Sequence, residues 1–290
     1  VETVHGHLSW GHREVVDADL SSHFDTIPHH ELMKSVARRV SDGTILKLIK
    51  RWLEMPVEEE GPNGHARRTT EARDRGRGTP QGAPISPLLA NIYMRRFVRA
   101  WKQFGLEERF GARLVVYADD LVILCKRDAG MARKALEAIM QKLRLTVNEE
   151  KTVTCKAPKE PFVFLGYRFG LCYKPGTGKA YIGTRPAKKR VQELCREISE
   201  MTAPHTQNGS IEMLVSAINR KLRGWSNYFS LGPTDKAYRA VDQHVIFRVR
   251  QWLARKHDLL GHGSGAYPDP RLYGEMGLLR LTTRGTKRSR

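Results

Sequence analysis

Cysteine is scarce in this chain. Cys125, Cys155, Cys172 and Cys195 are the whole set, and none stands in a Cys-x-x-Cys or His-paired spacing, so neither a zinc site nor a disulfide framework is expected. A reducing, cytoplasmic compartment fits that usage. Long apolar runs are also missing: no stretch approaches about 18 residues and no charged-then-apolar leader is visible, so neither a membrane span nor a signal peptide is indicated. Acidic residues are few beside basic ones. The chain has 31 Asp and Glu against 50 Lys and Arg, a net charge of +19 with a pI near 10.0. Such an excess is the electrostatic footprint of a protein that holds a polyanion, and nucleic acid is the partner it points to first. The excess is uneven, because from Arg185 onward 20 basic and 9 acidic residues leave +11 in that part alone.

What is present is a chain of 290 residues, 40% of them apolar, with room for one large or two modest domains and a proper core. Its central stretch is RLVVYADDLVILCK, residues 113–126. Two runs rich in β-branched residues flank a four-residue break, which predicts a hairpin with both strands largely buried and Tyr117-Ala118-Asp119-Asp120 at the turn. Adjacent carboxylates there repel each other unless a cation neutralises them, so the sharp reading is a divalent metal site. The plain alternative is ordinary turn chemistry, in which Asp is common.

Upstream, the stretch from Glu14 to Leu20 predicts a short strand with Asp19 near its end. Asp17 shares the strand face at a spacing of two, so the residues alone leave both acids as candidates. Two helices follow, with Leu32, Val36 and Val40 on one face of the first and Ile45, Leu48, Ile49 and Trp52 on a face of the second, broken near Ser41-Asp42-Gly43. His29 and His30 are neighbours that do not share a helix face, so a metal role is not expected of them. Residues 56–78 read as an exposed connection with a hairpin excursion, whose Arg67, Arg68, Arg73, Arg75 and Arg77 face either phosphates or solvent. Gly78-Thr79-Pro80-Gln81-Gly82 then brings a stiff, permissive backbone before Ser86-Pro87, a capping pair for a core helix carrying Leu89, Tyr93, Phe97, Trp101 and Phe104. After the central hairpin, Asp128 caps a helix with Met131, Ala135, Ile139 and Leu143 inward. The pattern is an antiparallel sheet with helices on one face, an α+β arrangement. Phe164-Leu165-Gly166-Tyr167 opens a short hairpin around Gly170, Pro175 to Gly178 is a turn or linker, and beyond Pro186 the chain becomes helical and basic. Apolar stripes there (Val215, Ile218, Leu222; Tyr238, Val241, Val245, Val249, Trp252) are opposed by basic faces.

Asp19 in VVDADLSSHFDTIPH, Gln81 in GTPQGAPISPLLANIY, the YADD turn, Lys151 in LTVNEEKT, FLGYRFG and LRGWSNYF occur in that order over roughly residues 14–256. The chain thereby resembles bacterial group II intron-encoded reverse transcriptase/maturases. The resemblance implies a polymerase palm with partial fingers over residues 1–175, a helical thumb/maturase-specific domain over 185–260, and a basic, partly ordered segment over 261–290. It implies RNA-directed DNA synthesis together with a maturase role in intron splicing and mobility. The implied metal set is Asp19, Asp119, Asp120 and Leu20 with two Mg²⁺ ions. Lys151 is implied at the leaving pyrophosphate. Phe24, Gln81 and Gly82 are implied at the incoming dNTP, with Phe24 crowding a 2′-hydroxyl. Phe164, Leu165 and Gly166 are implied at the primer end, while Arg248, Arg250, Arg255 and Lys256, on basic helix faces opposite the apolar stripes, suit a thumb that holds the RNA template and DNA primer by their phosphates. LRGWSNYF implies structured intron RNA as a further partner. The family blocks that precede Asp19 are not found ahead of it, so weak primer extension is expected of these residues taken alone. Two other readings stay open at this point: a maturase that only binds RNA for splicing, and a reverse transcriptase of a retron, diversity-generating or defence system.

Overall fold

The computed structural model describes residues 1–20, 23–60, 66–80, 82–259, 261 and 263–283, with the side chains of residues 23, 24, 57, 59, 60 and 66–68 outside the description. The chain divides into two compact units, Val1–Phe162 and Val163–Arg290. The division falls ahead of the FLGY block, whereas the sequence reading closes its first domain at residue 175.

In the first unit the order is α1 (Glu2–Ser9), β1 (Glu14–Ala18), α2 (His23–Thr26), α3 (His29–Ala37), α4 (Gly43–Glu54), β2 (Val57–Glu60), β3 (Ala66–Thr69), α5 (Glu71–Arg75), α6 (Ser86–Gln103), α7 (Leu106–Phe110), β4 (Ala112–Tyr117), β5 (Asp120–Cys125), α8 (Ala129–Lys142) and β6 (Val153–Lys156). Four strands form one sheet in the order β4-β5-β1-β6, antiparallel throughout. Side chains alternate across a sheet. Val16 and Ala18 of β1, with Leu121 and Ile123 of β5, therefore share one face, and that face packs with Leu32, Tyr93, Phe97, Leu136 and Met140 of the helices in one core. β5 is fully buried from Leu121 to Cys125, whereas β4 is only half-buried, so one strand of the hairpin meets the expectation and the other does not.

The helices begin where short polar side chains can satisfy free N–H groups. Asp42 accepts from the amides of Thr44 and Ile45 at the start of α4, and Asp128 accepts from Met131 at the start of α8. Ser86 acts otherwise than expected: its hydroxyl donates to the Pro80 carbonyl at 2.6 Å and ties α6 to the loop before it. Three apolar expectations are revised. Phe104 ends α6 in solvent, Met131 is exposed while Ala132, Leu136, Ile139 and Met140 carry the buried face of α8, and α4 buries Ile49 and Leu53 while Ile45, Leu48 and Trp52 are exposed. The connection after α4 does contain a hairpin, β2 with β3.

The second unit opens on a three-stranded sheet, β7 (Phe162–Phe164), β8 (Tyr167–Tyr173) and β9 (Ala180–Pro186). Its first turn falls at Leu165-Gly166, since Gly170 lies inside β8 opposite Gly183. Residues 174–179 close the β8–β9 hairpin, so the Pro175 to Gly178 stretch is a strand turn and not a domain linker. Three helices follow: α9 (Lys188–Met201), α10 (Ile211–Tyr228) and α11 (Asp235–Lys256). Leu194, Ile198, Val215, Ile218, Leu222, Val241, Val245, Val249 and Trp252 form their common core. The following segment is better packed than its glycines predict, because Tyr267, Leu272, Leu278 and Leu281 enter the same core. Asn219 bonds Gly277 and Leu279 with both ends of its amide, and buried Asp242 accepts from the amides of Leu281 and Thr282 and from the Thr282 hydroxyl. Among the described residues no helix is long and apolar enough to cross a membrane.

Candidate functional site

The acidic cluster is assembled by strand register. Asp17 lies opposite Val122 and Ala18 opposite Leu121; continuing that pairing by one residue sets Asp19 opposite Asp120. Asp17, Asp19 and Asp120 thus fall on the same sheet face, away from the helical core. Between β4 and β5 the turn is tighter than the four-residue break suggests: Tyr117 pairs with Asp120, Ala118 adopts φ 53, and Asp119 is exposed at the tip.

Asp17 records this crowding. Its carboxyl is pushed up to about 7, first by burial and then by the charges of Asp120 and Asp19. The sequence left Asp17 and Asp19 as alternatives; both occupy the face, with Asp17 deeper and Asp19 at its rim. Asp19 is fixed by the segment before β6. The amide of Asn148 donates to the Asp19 carbonyl at 2.9 Å, the Asp19 amide donates to the Thr152 hydroxyl at 3.4 Å, and Leu20 bridges to Val147. Within that segment the Asn148 carboxamide accepts from the Lys151 amide. This local turn delivers the Lys151 ammonium to 3.7 Å from Asp19 Oδ2, with 71% of the Lys151 side chain exposed. Among the described residues no group of three or more His, Cys, Asp or Glu stands close enough together to hold a metal ion; of the expected metal set, register brings Asp19 and Asp120 to one face, Asp119 is exposed at the turn beside it, and Leu20 is buried.

The loop expected at the nucleotide is tied to the start of α3. His29 Nε2 bonds the Gly78 carbonyl at 2.7 Å, the Gly78 amide donates to Ile27, and a side chain at Gly78 would press on the Asp25 backbone at 3.1 Å. His29 is therefore a loop staple, a role that its sequence neighbourhood did not signal. Gly82 is exposed with φ 81, whereas Gln81 and the Phe24 side chain lie outside the described residues. Of the nearby arginines, Arg73 pairs with Asp74 and Arg75 with Glu71. The side chains of Arg67 and Arg68 lie outside the described residues.

In the second unit Phe164 is buried and Leu165-Gly166 forms the turn. The four basic residues named from sequence differ in availability. Arg248 donates to the Ser199 and Thr202 carbonyls and to the Thr202 hydroxyl at the end of α9. Arg250 donates to the Tyr267 carbonyl and to Asp269. Lys256 donates to Gln207 and Gly209 and lies over the Trp252 ring. These three cations hold backbone in place, while Arg255 is exposed, as are Arg220, Lys221, Arg223 and Arg239. A sequence pattern reports which helix face a cation occupies; it does not report which carbonyls end beside it.

The family of reverse transcriptases (RNA-dependent DNA polymerases) matches residues 3–169, and the group II intron maturase-specific domain matches residues 191–264. The chain is 29% identical to Protein YkfC of Escherichia coli, with 54% of this chain and 46% of that protein covered. It is 26% identical to the Putative COX1/OXI3 intron 1 protein of Saccharomyces cerevisiae, with 59% of this chain and 25% of that protein covered. The chain thus spans half or less of the length of these relatives. A solved telomerase from Candida albicans, in complex with a TWJ fragment of telomeric RNA, aligns with 96% of this chain and 52% of its own at 11% identity and a TM-score of 0.46. With the polymerase match covering more than half of its length and the maturase match following it, the chain belongs to the reverse transcriptase family as a group II intron reverse transcriptase/maturase.

Proposed function

We propose that the protein extends a DNA primer on an RNA template with dNTPs, and that its helical unit binds structured intron RNA. The observation that carries the first part is the shared face of Asp17, Asp19 and Asp120 beside the exposed Asp119, with Lys151 at its edge. Phosphoryl transfer requires little covalent chemistry from protein groups; it requires positioning and charge. The residues fit divalent cations, because every donor is a carboxylate oxygen and Asp19 and Asp120 both act on the buried Asp17 beside them. Asp19, Asp119 and Asp120 would hold two Mg²⁺ ions, which when bound supply neutralisation of the triphosphate and acidify the primer 3′-hydroxyl.

The chain's own residues do the rest. The primer 3′-oxygen, its proton passed to solvent, bonds to the α-phosphorus as the bond from that phosphorus to pyrophosphate breaks, and Lys151, released from Asp19, would bring a positive charge and an available proton to the leaving group. Phe24 lies under the incoming sugar in this proposal, and Gln81 with Gly82 contacts the nucleotide. The test is RNA-templated primer extension with Mg²⁺, comparing wild type with Asp119→Asn. Extension by wild type that is lost in the variant supports the reading. Equal extension by both removes the acidic face from the chemistry, and RNA binding with no extension by wild type leaves a splicing maturase alone.

A further inference from the structure

The turn between β7 and β8 is strained and closely boxed. Leu165 has φ 52 and Gly166 φ 75, and a residue with a branched side chain seldom takes the left-handed region without support from its surroundings. A side chain at Gly166 would stand 3.2 Å from Arg190 and from Phe229. The Gly166 carbonyl accepts from the Ala187 amide at 2.9 Å, which leaves the Leu165 carbonyl as the group that sets the direction of the turn.

That carbonyl is held by the maturase-specific block. Tyr228, the last residue of α10, donates its hydroxyl to the Leu165 carbonyl at 2.9 Å. Tyr167, the first residue of β8, donates its hydroxyl back to the Tyr228 carbonyl. The two tyrosines form a reciprocal clasp, with ring centroids 5.8 Å apart and Phe229 packed 5.0 Å from Tyr167. Phe229 and Tyr167 are buried, as core aromatics are, but Tyr228 is 53% exposed. Its ring packs edge-on against Phe229 at 4.8 Å, and what distinguishes Tyr228 from its neighbours is the hydroxyl that bonds a strained turn.

We propose that Tyr228 is a positioning residue that latches the Leu165-Gly166 turn in the shape that holds the primer end, so that α10 of the maturase-specific region sets primer placement. This rests on the polymerase reading above and adds to it a residue that the turn sequence does not contain. The clasp also gives Gly166 a reason at this turn: with φ 75 and Phe229 at 3.2 Å, a side chain there would be strained and crowded, and the hydroxyl of the adjacent Tyr228 directs the Leu165 carbonyl.

The test uses Tyr228→Phe in the full chain, a change that keeps the ring and removes one hydrogen bond. Two quantities are read. Amide exchange over residues 163–172 should quicken, with exchange in β1 and α8 unchanged. In RNA-templated extension the primer KM should rise about fivefold, the worth of one hydrogen bond, while kcat per titrated active site and the dNTP KM stay within about twofold of wild type. Unchanged exchange overturns the latch. Faster exchange with an unchanged primer KM, or a lower kcat alone in step with a lost active fraction, makes the clasp structural only and overturns the positioning role. A wild-type chain that extends no primer overturns the polymerase reading and the primer role with it, and the exchange measurement still shows whether the clasp exists.

Discussion

At the tip of the β4–β5 turn Asp119 is exposed, and Asp17 and Asp19 crowd the sheet face beside it. In the helical unit Asp242 is 6% exposed and both of its oxygens are bonded to the segment that closes the core. The cations divide in the same way. Lys151 reaches Asp19 through one long contact at the surface, whereas Arg248, Arg250 and Lys256 each donate to backbone carbonyls. A charge with complete internal partners stabilises its surroundings and is poorly placed to take a ligand. A charge held against like charges has free energy to release when a ligand arrives. The contrast supports the proposed chemistry in the first unit and makes Arg248, Arg250 and Lys256 of the second unit architectural.

The contrast breaks first if the acids prove architectural. Asp19→Asn should lower primer extension by about 10²-fold or more, the scale of losing a group aimed at developing charge. Its folding stability should stay within about 0.5 kcal/mol of wild type or rise. Relief of repulsion by Asp17 and Asp120 opposes loss of an exposed 3.7 Å ion pair, and such pairs contribute little. Denaturant midpoints beside extension rates check this, and a large loss of stability would move Asp19 from the site to the scaffold.

In the second unit the same substitution should do the reverse. Asp242→Asn retains one acceptor oxygen but replaces the other with an amide, which cannot accept from the Thr282 amide and hydroxyl. A cost of about 3 kcal/mol is expected, since hydrogen bonds to a buried charge are among the stronger ones and their donors are left unpaired. The loss should appear as faster amide exchange from Leu278 to Thr283 and a lower unfolding midpoint. An unchanged midpoint would show that the closing segment is held by its leucines alone.

The elements that carry this contrast were legible in the sequence, but the division of their charges was not: Arg248, Arg250 and Lys256 read as ligand-facing and instead bond main-chain oxygens, for physical reasons. Period and cap chemistry are local, so α4, α8 and α11 could be read from residues near in sequence, as could the strand leading to Asp19. The convergence of Asp19 with the YADD turn came from family resemblance; register then explains it, because Asp17 meets Val122 across more than 100 residues. The loop staple of His29, the Tyr228 clasp and the capping of α9 by Arg248 are long-range bonds to main-chain oxygens. Main-chain oxygens are the same at every residue, so no residue pattern marks them. The exposed Ile45, Leu48 and Trp52 failed for a related reason: periodicity predicts a face of α4, and only packing decides how much of it is covered.

The finest test separates two arginines seven residues apart on α11. Arg248 is half-buried, and its guanidinium ends α9 by bonding the carbonyls of Ser199 and Thr202 and the Thr202 hydroxyl. Arg255 is exposed on the last turn of the same helix. Both carry one positive charge, so a reading from composition predicts equal effects on nucleic-acid binding. The structure predicts unequal ones. Arg248→Gln should cost about 1–2 kcal/mol of stability, because freed helix-end carbonyls lose charge-assisted partners, with little change in the salt dependence of RNA affinity. Arg255→Gln should leave the unfolding midpoint unchanged and shallow the slope of log K against log salt by about 0.7–0.9, as one phosphate contact and its released counterion are lost. Salt titrations of RNA binding beside denaturant curves give both readings. Equally shallowed slopes in the two variants would mean that Arg248 contacts phosphate while it caps α9, and unchanged slopes in both would mean that neither does; either way the division between architectural and ligand-facing charge would fail within a single helix.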